Sequence, residues 1–375
     1  MPTLRFPGFT EEWQEVQFCD VVNLYRGSSP RPIIEFITHS DEGVNWVKIG
    51  DMPTTGRLVT STSERITLEG SKKSRKVSPG DLILSNSMTF GQPYVMAIEG
   101  YIHDGWFVLR DYEEKMDRDF LCNLLISPII QKQYYRLAAG GVVQNISSDL
   151  VNQVRFSLPS IAEQLQISHL LNILDERIAL QSKLIEDLKK LKSAIRAAIF
   201  QQLKKTANQM RAGAELLEYE QPTKYLVSDT EYSQDKSLTP VLTANKSLIL
   251  GYTDEKFGIY KKGDCIILDD FTLDLKYIKF PFKVKSSAIK ILRAKNGVSL
   301  RYMYEYLNWL ELTPLGHNRH YISMIEPMQF YCPEVQVQEK IATTLEKADE
   351  KIQSESRLFD VLTRQKYFLL SAMFI

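Results

Sequence analysis

LPSIAEQLQISHLLNILDERIALQSKLIEDLKKLKSAIRAAIF, residues 158–200, is repeated in altered form by CPEVQVQEKIATTLEKADEKIQSESRLFDVLTRQKYFLLSAMF, residues 332–374. The offset is 174 positions, without a gap. Identical residues, at spacings typical of a helix, include Pro159/Pro333, Gln164/Gln338, Ile167/Ile341, Leu171/Leu345, Asp175/Asp349, Glu176/Glu350, Ile178/Ile352, Leu188/Leu362, Lys192/Lys366, Ala198/Ala372 and Phe200/Phe374. Solenoid repeats have periods of roughly 20–50 residues. The sequence therefore predicts a duplicated module, a variable region followed by a long helix.

Both copies carry a heptad pattern. In the first copy, positions spaced alternately by four and three from 167 to 199 hold Ile, Leu, Leu, Ile, Gln, Ile, Leu, Lys, Ile and Ile. The equivalent positions from 341 to 373 hold Ile, Leu, Ala, Ile, Glu, Phe, Leu, Lys, Leu and Met. This spacing is typical of coiled-coil helices. Ser160 and Glu163 predict a capping box where the first helix begins.

Polar residues interrupt the heptad seam at matching places, Gln181 with Glu355 and Lys192 with Lys366. Parallel pairing in register would bury the two lysines against each other, so antiparallel pairing about a local two-fold axis is favoured. It would place Lys192 against Glu355 and Gln181 against Lys366. Two independent surface helices are the alternative. The residues predicted to mediate the pairing are Ile178, Gln181, Ile185, Leu188, Lys192, Ile352, Glu355, Phe359, Leu362 and Lys366.

The variable regions consist of short β-type segments between turn residues. The first region contains WVKIGDM, DLILSNSM, QPYVMAI and GWFVLR, and a helix is predicted near 118–138 with a break or kink at Pro128. The second, about 212–331, contains YKKGDCIILDDF, YIKFPFKV and SAIKILRA, followed by the helical segment SLRYMYEYLNWL. GDLIL resembles GDCII, and NISSDLVNQVRFSLP resembles YISMIEPMQFYCP. We therefore predict an α+β fold: two domains of mixed β-sheet with short helices, separated by two long helices that form an antiparallel coiled coil with a pseudo-two-fold internal repeat.

The composition is that of a soluble globular protein with two or three domains. Of 375 residues, 44% are hydrophobic and 25% are charged. The four cysteines are widely spaced, which favours a reducing cytoplasm, and Cys19 and Cys122 are interpreted as core residues. The N-terminus does not resemble a signal peptide, and no apolar run approaches the roughly 20 residues needed to span a bilayer.

Charge is unevenly distributed although 46 basic and 46 acidic residues balance. Residues 276–304 contain no acidic residue, and a smaller basic cluster occupies 72–76. The basic residues of the longer run are Lys276, Lys279, Lys283, Lys285, Lys290, Arg293, Lys295 and Arg301. Such runs are compatible with contacts to DNA phosphates, and equally with lysines that solvate strand surfaces.

No motif for catalysis is found. The chain has no GxxxxGK[ST] loop, no GxGxxG before a helix, and no Asn-Pro-Pro-aromatic sequence typical of adenine methyltransferases. His317 and His320 have no further ligands beside them, and EEK at 113–115 with Asp104 resembles a nuclease site only superficially. We predict neither catalytic residues nor metal ligands.

Polar and basic residues of the variable regions are the candidates for DNA contacts, because Arg and Lys bind phosphates or guanine edges and Asn and Gln suit adenine edges. In the first region they are Arg26, Ser28, Lys48, Lys72, Lys73, Arg75, Asn86, Ser87, Thr89, Gln92, Gln144 and Asn145. In the second they are Asn245, Lys246, Lys276, Lys279, Lys283, Lys285, His317, Asn318 and Arg319.

The whole pattern resembles the DNA-specificity subunit of type I restriction–modification systems. The resemblance rests on RFPGF…EEW at the start, on PGDLI at 79–83, and on NIS…LP…EQ…DERI at 145–178, with a weaker second copy. It implies target-recognition domains at 1–157 and 212–331, a central spacer helix at 158–211 and a C-terminal spacer helix at 332–375. The second copy departs from the pattern at HNRHYIS, where the first has GVVQNIS.

By this resemblance each recognition domain reads one half of a bipartite, asymmetric DNA site. The helices set the spacing between the halves and dock methyltransferase subunits, commonly two, and restriction subunits complete the complex. The chain itself would be non-catalytic and carry no cofactor, with S-adenosylmethionine, ATP and Mg expected on partner subunits. The alternatives are a structural coiled-coil adaptor, or a DNA nuclease or methyltransferase with an unrecognised site.

Overall fold

The computed structural model describes residues 2–53, 56–86, 91–138, 146–206, 209–243, 248–316 and 319–375. Two compact units are formed. Unit 1 comprises Met1–Leu184 with Glu355–Ile375, and unit 2 comprises Ile185–Ser354. Both long helices contribute residues to both units, so the units cut across the boundaries predicted for domains and spacers, and those boundaries stay a prediction.

Unit 1 contains two five-stranded sheets and a two-stranded ribbon. Its strands are β1 (Gln14–Gln17), β2 (Asn23–Arg26), β3 (Ile37–Thr38), β4 (Val44–Val47), β5 (Leu58–Val59), β6 (Glu64–Ile66), β7 (Arg75–Val77), β8 (Leu82–Ser85), β9 (Pro93–Met96), β10 (Gly100–Ile102), β11 (Trp106–Arg110) and β12 (Arg155–Leu158). Its helices are α1 (Leu68–Ser71), α2 (Arg118–Leu125), α3 (Pro128–Ala138), α4 (Ser148–Asn152) and the first part of α5 (Ile161–Thr206). The sheet orders are β2-β11-β8-β9-β5, β3-β6-β4-β10-β7 and β1-β12.

Unit 2 contains a four-stranded sheet, a three-stranded sheet and a ribbon. Its strands are β13 (Met210–Ala212), β14 (Leu217–Glu220), β15 (Thr239–Leu242), β16 (Ile249–Thr253), β17 (Cys265–Asp269), β18 (Leu275–Ile278), β19 (Lys283–Val284), β20 (Ile289–Ala294) and β21 (Gln329–Tyr331). Its helices are α6 (Gly213–Leu216), α7 (Leu300–Leu310) and the first part of α8 (Val335–Met373). The sheet orders are β14-β20-β17-β18, β16-β15-β19 and β13-β21.

The predicted α+β fold with its internal repeat is confirmed. Strands β8 and β17 occupy the two similar Gly-Asp segments, and both glycines, Gly80 and Gly263, have positive φ angles of 95° and 89°. Glycine suits this turn because an L side chain is disfavoured there. The helix predicted near 118–138 is interrupted as expected, since α3 begins at Pro128. The segment from Ser299 forms α7.

The two units share one connectivity. The order β2-β11-β8-β9 of unit 1 matches β14-β20-β17-β18 of unit 2. Each unit also has a two-stranded ribbon, β1-β12 in unit 1 and β13-β21 in unit 2. The 174-residue offset also begins before the helices: Ile146 donates its backbone N–H to the Asn86 carbonyl at 2.7 Å, and His320 donates to the Asp270 carbonyl at 3.0 Å. These hydrogen bonds make His320 the structural equivalent of Ile146. The shared Ile-Ser of HNRHYIS and GVVQNIS would instead match Ile146 with Ile322, which is two positions further along the chain.

Antiparallel pairing of the long helices is confirmed within each unit, but the predicted polar partners are wrong. In unit 1, Gln181 donates to Glu355 at 2.6 Å, and Lys366 pairs with Asp175. In unit 2, Lys192 contacts Asp349 at 2.6 Å. Each lysine thus meets the aspartate of the other copy, and all four residues are identities of the sequence repeat.

The apolar seam divides between two cores. In unit 1, Leu171, Leu174 and Leu362 are buried, and Ile178 packs against the same core. In unit 2, the corresponding core contains Phe200, Ile341 and Leu345. Seven of the ten predicted pairing residues are half-buried, namely Ile178, Ile185, Leu188, Ile352, Glu355, Phe359 and Lys366.

The start of α5 is fixed by the opening motif of the chain. Arg5 donates to Glu163 at 2.7 and 2.8 Å, and the Trp13 indole donates to the same carboxylate at 3.1 Å. Glu163 is 1% exposed. Its carboxylate therefore holds the N-terminal segment on α5 rather than forming the predicted capping box.

Candidate nucleic-acid interface

A duplicated glutamine holds each variable region onto a long helix. Gln164 accepts a hydrogen bond from the Asp117 backbone N–H at 2.8 Å and donates to the Pro159 carbonyl at 2.9 Å. Gln338 accepts from the Ser299 backbone N–H at 2.9 Å and donates to the Pro333 carbonyl at 2.7 Å. Asp117 and Ser299 are the N-cap residues of α2 and α7. The identity Gln164/Gln338 was visible in the sequence, but its function depends on helices outside the repeat.

An ionic group in unit 1, cluster 1, joins both long helices to the variable region. It consists of Arg57, Asn123, Asp175 and Lys366. Arg57 donates to Asp175 at 3.0 Å and to the Asn123 amide oxygen at 2.5 Å. Asp175 also pairs with Lys366, and burial lowers the pKa of that lysine against the opposing attraction of Asp175.

The equivalent group in unit 2, cluster 2, has one more cation and one more carboxylate. It consists of Lys192, Arg196, Arg301, Glu305 and Asp349. Glu305, from α7, is 0% exposed and accepts from Lys192 at 3.2 Å, Arg196 at 3.0 Å and Arg301 at 2.7 Å. Asp349 pairs with Lys192 and Arg301. Charged groups buried in this way require complete pairing, so the cluster fixes how α7 sits on the helix pair.

Several DNA candidates of unit 1 meet at the turn that carries Asp104. Arg26 donates through Nε to the Asp104 carbonyl at 3.1 Å, and Asn86 donates to the same oxygen at 2.8 Å. Arg75 donates to the Arg26 carbonyl at 2.5 Å. Ser29 donates to the Asp104 carboxylate at 2.5 Å, and this bond lowers the pKa of Asp104. Asp104 and Ser29 were not predicted to form part of this cluster.

A groove of about 950 Å³ lies beside this turn. Its lining combines apolar side chains with Arg31, Lys48, Asp104 and His103. Burial lowers the pKa of His103, which favours the neutral imidazole. Lys48 is half-buried and pairs with Glu64 at 2.6 Å. The groove therefore offers cationic, anionic and neutral hydrogen-bonding groups at one opening.

The smaller basic cluster lies on the same part of unit 1. Lys72 and Lys73 are exposed, and the Lys73 ammonium lies 4.4 Å from the centre of the Phe36 ring. Ser74 donates to the Ser28 carbonyl at 2.7 Å, which links this cluster to the Asp104 turn. Arg75 lies over the Tyr25 ring at 5.5 Å. The structure thus brings together Arg26, Ser28, Lys72, Lys73 and Arg75 as a cationic surface.

The long basic run of unit 2 does not form a comparable surface. Acidic residues from other segments neutralise most of it. The pairs are Lys279–Glu346, Lys283–Glu255, Lys290–Asp270, Arg293–Glu218 and Arg301 with Glu305 and Asp349. The charge pattern of residues 276–304 was therefore misleading, because the compensating carboxylates are distant in the sequence. Lys285 is exposed and Lys276 is half-buried.

Two candidates are corrected by their burial. Asn86 is 3% exposed and Lys283 is 0% exposed, so neither side chain is available to a phosphate or a base. Gln92 is half-buried and Arg319 is exposed. The remaining candidates lie outside the described residues, namely Ser87, Thr89, Gln144, Asn145, Asn245, Lys246, His317 and Asn318.

Other features of the described residues concern chemistry and environment. Within them, no group of three or more His, Cys, Asp or Glu side chains is arranged to hold a metal ion. Cys122 is buried as predicted, whereas Cys19 is exposed and the prediction that it is a core residue is wrong. None of the helices in the described part of the chain has the length and apolar character that a bilayer-crossing segment requires.

Comparison with known families identifies the first half of this architecture. Residues 10–190 match the model of the type I restriction modification DNA specificity domain. Over these residues the chain is similar to a type I DNA specificity domain. The match confirms the family resemblance drawn from the sequence, and it covers the Asp104 turn, cluster 1 residues Arg57, Asn123 and Asp175, and the start of α5.

A curated relative is similar to part of this chain. The chain is 48% identical over 115 residues to the type I restriction enzyme EcoR124I/EcoR124II specificity subunit of Escherichia coli. That alignment covers 29% of this chain and 28% of the relative, so it spans less than a third of either protein.

Solved structures extend the likeness of fold to the whole chain. The type I restriction–modification S subunit from M. genitalium aligns with a TM-score of 0.64 at 17% identity, covering 100% of this chain and 99% of that one. A chain from a structure describing complex assembly and conformational transition of the type I R-M system aligns with a TM-score of 0.60 at 15% identity, covering 96% and 97%. At these identities the likeness shows a shared fold.

Proposed function

We propose that this chain is the sequence-specific DNA-binding subunit of a type I restriction–modification complex in the cytoplasm. Each unit reads one half of a bipartite, asymmetric site, and the two long helices set the spacing between the halves. The observation that carries this proposal is the duplication of the frame around different surfaces. The sheets, the Gln164 and Gln338 contacts and the Lys–Asp pairs recur, while the cationic surface of unit 1 has no comparable surface in unit 2, where carboxylates pair with most of the basic run.

The cationic surface around Arg26 and Arg75 supports phosphate and base contacts. Arginine guanidinium groups bind phosphates or guanine edges bidentately. Arg26 donates its Nε–H to the Asp104 carbonyl at 3.1 Å, and Arg75 donates its Nε–H to the Arg26 carbonyl at 2.5 Å, so both guanidinium groups are held in place. A pre-ordered arginine loses less conformational freedom when it binds, which favours this turn as a reading element.

The helices are proposed to dock two methyltransferase subunits, and restriction subunits would complete the complex. The chain acts without catalytic residues of its own in this proposal. S-adenosylmethionine, ATP and Mg would be bound by the partner subunits. The duplicated helix pair supports two docking sites because each unit contains one segment of α5 and one segment of α8.

The proposal is tested by mapping adenine methylation in cells that carry the methyltransferase subunits with and without this chain. We expect a motif of two short defined sequences separated by an undefined gap, present only with the chain. A motif that persists without the chain, or a chain that adds no motif, contradicts the proposal.

A matched insertion into both helices is expected to lengthen the gap. Seven residues added after Leu184 and seven after Ser354 extend each helix by about 10 Å and preserve the heptad phase. Because ten base pairs occupy about 34 Å, the gap should grow by about three base pairs, with both half-sites unchanged in the methylation motif.

The control places the seven residues after Leu184 only. One lengthened helix cannot keep both the Asp175–Lys366 and the Lys192–Asp349 pairs in register. This variant should therefore lose methylation or stability. Altered half-sites, or an unchanged gap in the matched variant, would show that the helices do not set the spacing.

A further inference from the structure

Phe257 is an exposed aromatic side chain on a firmly held turn of unit 2. Its side chain is 62% exposed, although a buried lysine holds its backbone carbonyl. Lys283 is 0% exposed and donates to the Phe257 carbonyl at 2.9 Å. The same ammonium pairs with Glu255, whose carboxylate accepts the Ser228 backbone N–H at 2.9 Å. A fully buried lysine therefore braces a turn that presents a large apolar ring to solvent.

The following residue restricts this turn further. Gly258 has a φ angle of 56°, and a Cβ placed there would lie 2.6 Å from the Lys224 carbonyl oxygen. Only glycine allows this close approach without displacing the backbone. Lys283 is thus assigned a role different from the one its charge suggested, since it positions Phe257 instead of contacting DNA.

Strand register places Phe257 at the counterpart of the cationic surface of unit 1. Val77 pairs with Gly100 in unit 1, and Tyr260 pairs with Phe282 in unit 2. Val77 and Tyr260 are therefore equivalent positions. Three residues before each of them lie Ser74 and Phe257, which are equivalent in turn. Ser74 lies between Lys73 and Arg75, which belong to the candidate interface.

The surroundings of Phe257 suit a polyanion. Exposed lysines occur on the same turn and on the segments beside it. They are Lys224, Lys256, Lys261 and Lys262. Lys262 pairs with Glu220 at 2.8 Å. An exposed apolar ring with lysines on its own turn and on neighbouring segments suits a DNA groove, where phosphates flank apolar base substituents.

The geometry of the ring restricts which DNA contact it can make. The Lys283 ammonium lies 4.3 Å from the ring centre, so it covers one face. A wedge inserted between two bases needs both faces. One free face can instead contact a group that projects from a base pair into the groove. The apolar group that does so in the major groove is the C5-methyl of thymine.

We propose that Phe257 reads a thymine methyl group in the half-site recognised by unit 2, with Lys283 as its positioning residue. This inference rests on the proposed function. It adds a specificity-determining residue that carries no charge and forms no hydrogen bond with DNA.

The test uses the full chain with its methyltransferase subunits and duplexes that carry the mapped site. Each thymine in either half is replaced in turn by deoxyuridine, which removes only the methyl group. We expect one replacement to weaken binding about fourfold, the value for burying one methyl group. In the Phe257→Ala protein the same replacement should have no effect. Lys283→Met should reduce the effect while retaining binding, because the ring is no longer held.

The matched control is Phe280→Ala, another exposed phenylalanine of unit 2, adjacent to the Lys279–Glu346 pair. It should retain the thymine preference of the unaltered chain. Equal sensitivity to every deoxyuridine replacement in the unaltered and Phe257→Ala proteins overturns the inference, as does a site without thymine. These outcomes still include specific binding, so they are distinct from failure of the proposed function, in which no site is mapped.

Discussion

Replacing Glu305 by asparagine is expected to destabilise the protein by about 3–5 kcal/mol, the range for removing one partner from a buried ionic group. Glu305 is 0% exposed and neutralises cations on three sides. Without it, Lys192, Arg196 and Arg301 would share the single carboxylate of Asp349. Urea unfolding of the full chain measures the loss as a lower midpoint.

A second substitution should restore much of that stability. In unit 1 the position of Glu305 is occupied by Asn123, and the position of Arg196 is occupied by Leu370, which is 5% exposed. Cluster 1 thus pairs a neutral amide with one cation fewer. Arg196→Leu added to Glu305→Asn transfers this arrangement to unit 2.

The controls for the cluster separate charge balance from general damage. Arg196→Leu alone should be harmful, because it leaves Glu305 with one partner fewer. Lys190→Ala, which removes a surface pair with Glu186, should cost less than about 0.5 kcal/mol. If the double variant is as unstable as the sum of the two single variants, the two clusters are not equivalent arrangements.

The helices could be predicted from sequence because their pattern is local. The heptad positions, the break at Pro128 and the antiparallel direction all follow from spacing and charge within one or two segments. The partner of Lys192 could not be found in this way. It depends on the helix register and on Glu305, which belongs to α7 outside the repeat.

A signal for the correct pairing was nevertheless present. Asp175/Asp349 and Lys192/Lys366 are both identities of the 174-residue repeat. In an antiparallel pair of duplicated helices, a residue of one copy meets a residue of the other, so two repeated opposite charges can form two equivalent pairs. Gln181 and Glu355 occupy equivalent positions of the repeat, and they contact each other instead of the two lysines.

The candidate interface was predictable only in part. Clusters such as Lys72, Lys73 and Arg75 remain on the surface, where local sequence indicated them. The exposure of the basic run of unit 2 could not be predicted, because burial and pairing depend on segments distant in the sequence. The pairing of Lys283 with Glu255 is an example. Exposed aromatic residues such as Phe257 carry no such signal, since an apolar residue in a strand-rich segment is usually in the core.

A chain with two copies of the unit 1 reading region is expected to recognise an inverted repeat. In this chimera, residues 14–157 replace residues 210–331, so that β1 stands where β13 was and β12 where β21 was. Arg196→Leu is included because the second copy supplies Asn123 in place of Glu305. Gln338 can then accept the second Asp117 backbone N–H, as Gln164 does in unit 1.

The physical reason is the pseudo-two-fold repeat. Antiparallel helices related by a two-fold axis present identical reading regions in opposite directions, and protein two-fold symmetry is mirrored by palindromic DNA sites. The spacing should stay that of the unaltered chain, because the helices keep their length. The effect is large because one entire half of the motif is replaced.

The most direct measurement is the adenine methylation motif of cells that carry this chimera with the methyltransferase subunits. The account predicts that one half-site of the unaltered chain appears twice, in inverted orientation and with the original gap, while the other half-site is lost. A folded, methylating chimera that keeps the original asymmetric motif, or that reads its repeated half-site in direct orientation, would contradict the account.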